Sequence, residues 1–287
     1  MLALKAEFAR QGLIVLENEA GKEVGAYLLH GEWFDQRAFR KQRKSPTAPV
    51  LHRIDGPISL YRADGSGRDQ DKRCFSLNAK FASITVFQSR WSLEQNLSLG
   101  YMPVNPVIIC NASDPEIFHE PGRIPFSRDR KIRLISTSWS SNPGKGFAMY
   151  RHTEDRLDWN RFEYTFVGNS PIRFSRIRHV PPVPSRSLAE LLRSHDLFIT
   201  ASRNDPCSNS LIEALSCGLP ALYVNDGGHP ELVKEGGLSF QSEDDVLMQL
   251  DRLVDRYEQY QKCVIAPRME DVACRYMQVA GVGPPPQ

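Results

Sequence analysis

The apolar run Leu197-Phe198-Ile199 leads into a polar loop at Asn204-Asp205-Pro206. That loop opens onto Ser210 to Cys217, whose apolar residues recur at helical spacing until Gly218-Leu219-Pro220 stops them. A further apolar run follows, so the order is strand, loop, helix, strand. Such a unit builds a parallel sheet, with the loop at the carboxyl end of its strand, where open sheets of this kind bind ligands. The helix behind the loop points its free N–H groups at whatever sits there. The amides of Ser208, Asn209 and Ser210 therefore suit a phosphate. Two acids, Asp205 and Glu213, lie eight positions apart across this stretch. Taken alone, an acid pair at this spacing reads as an ordinary βα unit with surface carboxylates.

More than the pair is in step. Asp205-Pro206 is followed by Glu213-Ala214-Leu215-Ser216-Cys217-Gly218-Leu219-Pro220, and then by Gly227, Gly228 and Glu231. This pattern resembles the donor-binding motif of retaining, nucleotide-sugar-dependent glycosyltransferases of the GT-B fold, the family-4-like group also called glycosyl transferases group 1. The resemblance covers nearly the whole chain and is strongest from about Phe198 to Val233. It implies an α/β protein with two Rossmann-like parallel-sheet domains facing across a cleft. It also implies transfer of a sugar, with retention of configuration, from a nucleoside-diphosphate sugar to a sugar, glycan or lipid-linked acceptor. By the same resemblance Glu213 holds the ribose diol and Asp205 a hydroxyl of the donor sugar. Asp205 is one carbon shorter than the usual Glu, and Cys207 and Ser208 replace the usual aromatic and glycine, so sugar specificity does not carry over. Two other readings stay open: a GT-B epimerase or hydrolase acting on a nucleotide sugar, and a nucleotide-sugar-binding protein without transferase activity.

At 287 residues the chain has room for two domains of roughly 130 residues, each with its own core. With 41% hydrophobic and 24% charged residues the composition is that of a soluble globular protein. No apolar run approaches the ~20 residues of a membrane span. Met1 to Gly12 carries charges where a signal peptide has its apolar core. A cytoplasmic protein is the expectation. The six cysteines form no Cys-x-x-Cys pair, which points to reduced, mostly buried thiols rather than zinc ligands or disulfides. A formal net charge of +2 gives no nucleic-acid signature. Local basic groups such as Arg37-Arg40-Lys41-Arg43-Lys44 and Arg173-Arg176-Arg178 read as solvated faces or as peripheral membrane or anionic-acceptor contacts.

Along the chain, Met1 opens on a helical pattern with Leu4 and Phe8 four apart and a stop at Gly12. Strands are expected at Leu13–Leu16, Ala26–Leu29, Val50–Leu51, Ile84–Phe87 and Val107–Ile109, separated by helical segments. In a doubly wound sheet the first strand is central, and this chain starts at what reads as the helix after it, so the first domain is expected to lack that strand. His52, at the end of a strand, matches in position a histidine that the family turns toward the donor. Taken alone, such a histidine is more often structural. Arg53 and Asp55 either pair with each other or touch the acceptor. Ile108 to Phe118 resembles the family's interdomain signature, with Ala112 in place of its glycine, and Glu120 to Arg133 reads as linker.

The strand Ile132–Thr137 runs into Ser138 to Phe147. A Walker A reading fails there, because it needs glycine at Trp139 and a hydroxyl at Gly146. The family's phosphate clamp is an Arg six residues before a Lys-Gly pair. Lys145-Gly146 supplies the pair, but Trp139 stands where the Arg belongs, leaving the hydroxyls of Ser140 or Ser141 to substitute. Ser187 to Glu190 is a capping box after the Pro181–Pro184 turn. Val246, Leu250, Leu253, Val254 and Tyr257 mark an amphipathic helix. The domains expected are 1–125, 126–268, a helix over 269–280 crossing back to the first, and a disordered tail over 281–287. Expected site residues are Asp205 and His52 for catalysis and Lys145, Glu213, Ser208, Asn209, Ser210, Ser140 and Gly228 for the donor. No metal or other cofactor is expected.

Overall fold

The structure, a computed structural model, describes residues 2–62 and 67–283. Its elements in chain order are α1 (Leu2–Arg10), β1 (Tyr27–His30), α2 (Gln36–Gln42), β2 (Val50–Arg53), α3 (Gly67–Phe81), β3 (Ile84–Phe87), α4 (Arg90–Ser98) and β4 (Pro106–Ile108). There follow β5 (Ile132–Ser138), α5 (Phe147–Arg156), β6 (Phe162–Gly168), β7 (Arg178–Val180), α6 (Ser185–Arg193), β8 (Leu197–Thr200) and α7 (Asn209–Ser216). The chain ends with β9 (Ala221–Val224), α8 (His229–Val233), β10 (Gly237–Phe240), α9 (Val246–Asp255), α10 (Tyr257–Lys262) and α11 (Met269–Ala280). Two compact units result: Met1–Asn111 with Arg268–Gln287, and Ala112–Pro267.

In the first unit the strands pair in chain order, β1-β2-β3-β4, and every pair is parallel. Among the described residues β1 and β4 are the edges of this sheet, and β2 and β3 have neighbours on both sides. The strand expected over Leu13–Leu16 does not form. Gly12 turns left-handed at φ 85°, and Leu13 N–H donates back to Phe8 O at 2.9 Å, closing α1. The apolar run then has no sheet to join, and Ile14 is 89% exposed. Small hydrophobic cores among the described residues flank the strands. One gathers Tyr27, Leu29, Phe39 and Val50. Another gathers Ile54, Cys74, Phe87 and Tyr101, with Phe75 stacked on Tyr101 at 3.8 Å. α11 returns to this unit and packs on α1, with Phe8 edge-on to Tyr276 at 6.3 Å. Of the expected tail, residues 284–287 lie outside the described residues.

The second unit is a six-stranded parallel sheet in the order β10-β9-β8-β5-β6-β7. β8 and β9 are buried at every position, as strands covered on both faces must be. Its core joins Leu134, Tyr150, Phe166, Leu197, Leu222 and Leu250, each worth roughly 1.5–3 kcal/mol when fully buried. Val246, Leu250, Leu253, Val254 and Tyr257 are all buried, as their spacing predicts.

Two details depart from expectation. α6 begins at Ser185, with Pro184 as its N-cap and no side-chain cap, so Ser187 does not open a capping box. Proline presets the entry and the helix starts before the box. The segment 112–133 is not a free linker. Ile124 N–H donates to Arg193 O at 2.9 Å, Arg193 Nη1 to Ile117 O at 3.2 Å, and Arg128 Nη2 to Val254 O at 3.0 Å. These bonds tie it to the second unit, so the boundary falls after Asn111 rather than after residue 125.

Candidate active site

Three adjacent strands, β9, β8 and β5, present their carboxyl ends side by side, and the loops that leave them are stitched together by main chain. Arg203 N–H in the β8 loop donates to Gly144 O in the β5 loop at 2.8 Å, and Gly228 N–H in the β9 loop donates to Asp205 O at 2.9 Å. Asn204 N–H reaches Asp226 Oδ1 at 2.6 Å. Two glycines make this possible. Gly146 adopts φ 77°, and a Cβ there would sit 2.4 Å from Ala201 O; Gly227 adopts φ 66°, and a Cβ there would sit 2.3 Å from Asp205 O. The loops therefore close only around glycine.

Inside this frame Lys145 Nζ lies 3.2 Å from Asp205 Oδ2 and donates to Ser202 Oγ at 3.1 Å. Ser202 Oγ donates in turn to Asp205 Oδ2 at 3.3 Å, and Cys207 N–H donates to Oδ1 at 3.3 Å. The lysine side chain keeps 28% of its surface exposed, so its ammonium is within reach of an incoming anion. Ser202 was not named from the sequence; a hydroxyl three residues before the acid was its only signal.

Ser208 is the N-cap of α7 and its Oγ accepts from Leu211 N–H at 3.4 Å. Ser208 and Ser210 hydroxyls lie 3.1 Å apart. Asn209 opens the helix at an exposed position. Within α7, Leu211, Ile212, Ala214 and Leu215 face the core. Glu213 is partly exposed as a residue, yet its Oε2 is fully covered and has no hydrogen-bond partner among the described residues. Burial pushes its carboxyl up to about 7. His229, at the start of α8, is fully buried, with Nδ1 3.3 Å from Val224 O and Nε2 unpartnered. Burial lowers its pKa, partly opposed by the charge of Asp205.

Ser140 stays on the surface, where its Oγ accepts from Asn142 N–H at 3.1 Å. Trp139 beside it is 55% exposed.

His52 does not stand free at a strand end. It is 1% exposed inside β2, with Nε2 2.7 Å from Gly31 O and Nδ1 3.2 Å from Asn78 Nδ2. Both ring nitrogens are occupied and burial lowers its pKa, which makes it a structural residue of the first unit. Its neighbour Arg53 is also buried, and pairs with Asp55 at 3.2 Å while donating to Asn111 Oδ1 at 3.1 Å. Cys74, Cys207 and Cys217 are buried and in no disulfide, but Cys263 and Cys274 are exposed, against the expectation of mostly buried ones. No described helix is long and apolar enough to cross a membrane.

Residues 175–268 match the family model "Glycosyl transferases group 1". No curated protein matches the chain. Among solved structures, sucrose-phosphate synthase from Thermosynechococcus elongatus superposes with a TM-score of 0.67 at 15% identity, over 88% of this chain and 72% of that one. The catalytic domain of starch synthase IV from Arabidopsis thaliana, bound to ADP and acarbose, gives 0.67 at 13% identity over 98% and 75%. Anabaena Alr3699/HepE in complex with UDP-glucose gives 0.59 at 15% identity over 79% and 68%. The chain thus has the fold of GT-B glycosyltransferases, two parallel-sheet α/β units, and its residues 175–268 carry the glycosyl transferases group 1 match.

Proposed function

We propose that the protein transfers a sugar, with retention of configuration, from a nucleoside-diphosphate sugar to an acceptor hydroxyl. The observation that carries this reading is the covered Oε2 of Glu213, without a hydrogen-bond partner among the described residues, on the helix whose preceding loop holds the Asp205–Lys145 pair. A buried acceptor without a donor costs about 1–3 kcal/mol, and a ribose diol supplies two donors of the right kind. The diphosphate then falls to Lys145 and the amides at the start of α7, which stabilise the charge that grows on the leaving group. Lys145 exchanges Asp205 for phosphate, and Asp205, released, accepts from a hydroxyl of the donor sugar and orients its anomeric carbon. With a cation and amides already aimed at the diphosphate, no metal ion is needed in this scheme. UDP-glucose bound to HepE and ADP bound to starch synthase IV support a nucleoside diphosphate as the donor class.

A second reading, nucleotide-sugar binding without transfer, is favoured by Trp139, an exposed indole where the resemblance places a second cation. Thermal stabilisation by UDP, ADP and their sugars, followed by a transfer assay against sugar, glycan and lipid-linked acceptors, separates the two. Ligand at 100 times its Kd raises stability by about 2.7 kcal/mol. Stabilisation with turnover supports the transferase, stabilisation without turnover supports the binder, and no stabilisation sinks both.

A further inference from the structure

The opposite ends of the second sheet's strands hold a cavity of about 550 Å³ that the donor site does not use. It lies at the amino ends of β5, β6 and β7, under the last turn of α6. Arg133 pairs in register with Glu163, and Thr165 with Arg178. Alternate residues of a strand share a face, so these four side chains line one side of the sheet. Lys131, Trp159 and Arg176 complete the rim.

The charge there is not balanced. Arg130 takes both oxygens of Asp196, at 2.7 and 2.9 Å, which leaves Arg133 its longer contacts to the same carboxylate at 3.3 and 3.4 Å. Lys131 Nζ donates to a carbonyl, Trp159 O, at 2.6 Å. The Arg176 guanidinium lies over the Trp159 ring, 4.6 Å from its centroid, which fixes its plane without neutralising it. Arg178 stands beside Thr165, and among the described residues no carboxylate pairs with it or with Arg176. Glu163 is the one acid on the wall. His195, at the back of the cavity, adds no charge at neutral pH: burial, with the nearby Arg133 and Arg178, lowers it to about 4, and its Nε2 is held 2.9 Å from Thr165 Oγ1.

We infer that this cavity is a second anion site, built for a phosphate monoester of small-molecule size such as a sugar phosphate, with Arg176, Arg178 and Arg133 as its phosphate contacts. Its volume falls in the usual range for small-molecule pockets, about 300–1,000 Å³. Planar guanidiniums recognise phosphate oxygens in pairs. A recessed cavity favours a soluble ester over a flat lipid surface. The seven residues of β6 span roughly 20 Å, so the two ends of the strands are separate places and this site stands apart from the nucleotide reading.

The test is isothermal titration calorimetry of the full chain at low ionic strength with glucose 6-phosphate and, separately, inorganic phosphate. Wild type, the exposed double variant Arg176→Glu/Arg178→Glu, and Lys145→Ala are compared. Saturable binding of the ester that the double variant weakens at least tenfold, that the milder Arg178→Ala weakens in the same direction, and that Lys145→Ala leaves unchanged, supports the site. The affinity should also fall with added salt. Absence of saturable binding overturns it, as does binding lost in Lys145→Ala and kept in the double variant. Co-sedimentation with phosphatidylglycerol vesicles that needs Arg176 and Arg178, without binding of the free ester, assigns the patch to a lipid headgroup and overturns it too. Failure of UDP or ADP to bind sinks the function proposed above and leaves this site standing.

Discussion

Glu213 carries its proton to higher pH than a surface carboxyl, and this fixes the sign of two measurements. In the free protein its pKa rises from 4.5 to about 7 through burial. A ribose diol donates to the ionised form, so binding makes Glu213 release its proton, and nucleotide affinity should fall as pH drops below about 7, by up to tenfold per unit. Calorimetry at pH 6 and 8 in matched buffers checks this; a flat profile counts against the ribose role. For stability the sign is the reverse. A raised folded pKa stabilises fully below the unfolded value and is lost as pH climbs through about 7, a swing of at most roughly 3 kcal/mol. Glu213→Gln should therefore raise the Tm of the ligand-free protein at pH 8 and leave it nearly unchanged at pH 4. Glu213→Ala should cost nucleotide binding about 1.5–3 kcal/mol, whereas Asp205→Ala keeps most of the nucleotide affinity and loses transfer. Equal UDP or ADP affinity for Glu213→Ala and wild type would reject the assignment. The two acids were legible because chain spacing places them around one helix start. The burial of Glu213 Oε2 and the Ser202 relay were not, because both depend on tertiary packing, the relay on Lys145 from the loop after β5. His52 misled for the same reason: its place at a strand's end is visible in the chain, and the Gly31 carbonyl and Asn78 amide that occupy its ring are not.

At the scale of elements, the donor loops depend on close approach of backbone to backbone. Gly227→Ala would place a Cβ 2.3 Å from Asp205 O at a φ that L-residues resist. The expected outcome is a destabilisation of about 1–3 kcal/mol, with nucleotide affinity falling further than the Tm shift alone explains. Chemical denaturation paired with titration of UDP separates the two effects. Element type followed from pattern where the apolar period was strong, as in α9 and β8. It failed at Leu13–Leu16, since four apolar residues in a row make a strand only when a neighbouring strand offers hydrogen bonds. It also failed at Ser187, where Pro184 starts α6 before the capping box.

For the whole molecule, sugar transfer is expected to survive EDTA, because Lys145 and the α7 amides supply the positive field. Activity lost to chelation and restored by magnesium or manganese would contradict that. Deleting residues 268–287 should loosen the first unit, by exposing the face of α1 that carries Leu4 and Phe8, and leave the second intact. Limited proteolysis read by mass spectrometry should then find cuts before Asn111 and a persistent 112–267 fragment. The alternation of strands and helices announced two sheets, but strand order, β1-β2-β3-β4 in the first, cannot be read from the chain. The return of α11 to α1 has a consequence in time. The second unit is one unbroken segment, so during synthesis it can close as soon as Pro267 has emerged. α1 is made long before its cover: at about 5–20 residues per second, roughly a quarter to most of a minute separates it from Met269–Ala280. A nine-residue helix alone is marginal in water. Through that interval the face of α1 that carries Leu4 and Phe8 is an unfinished surface, open to a chaperone's attention.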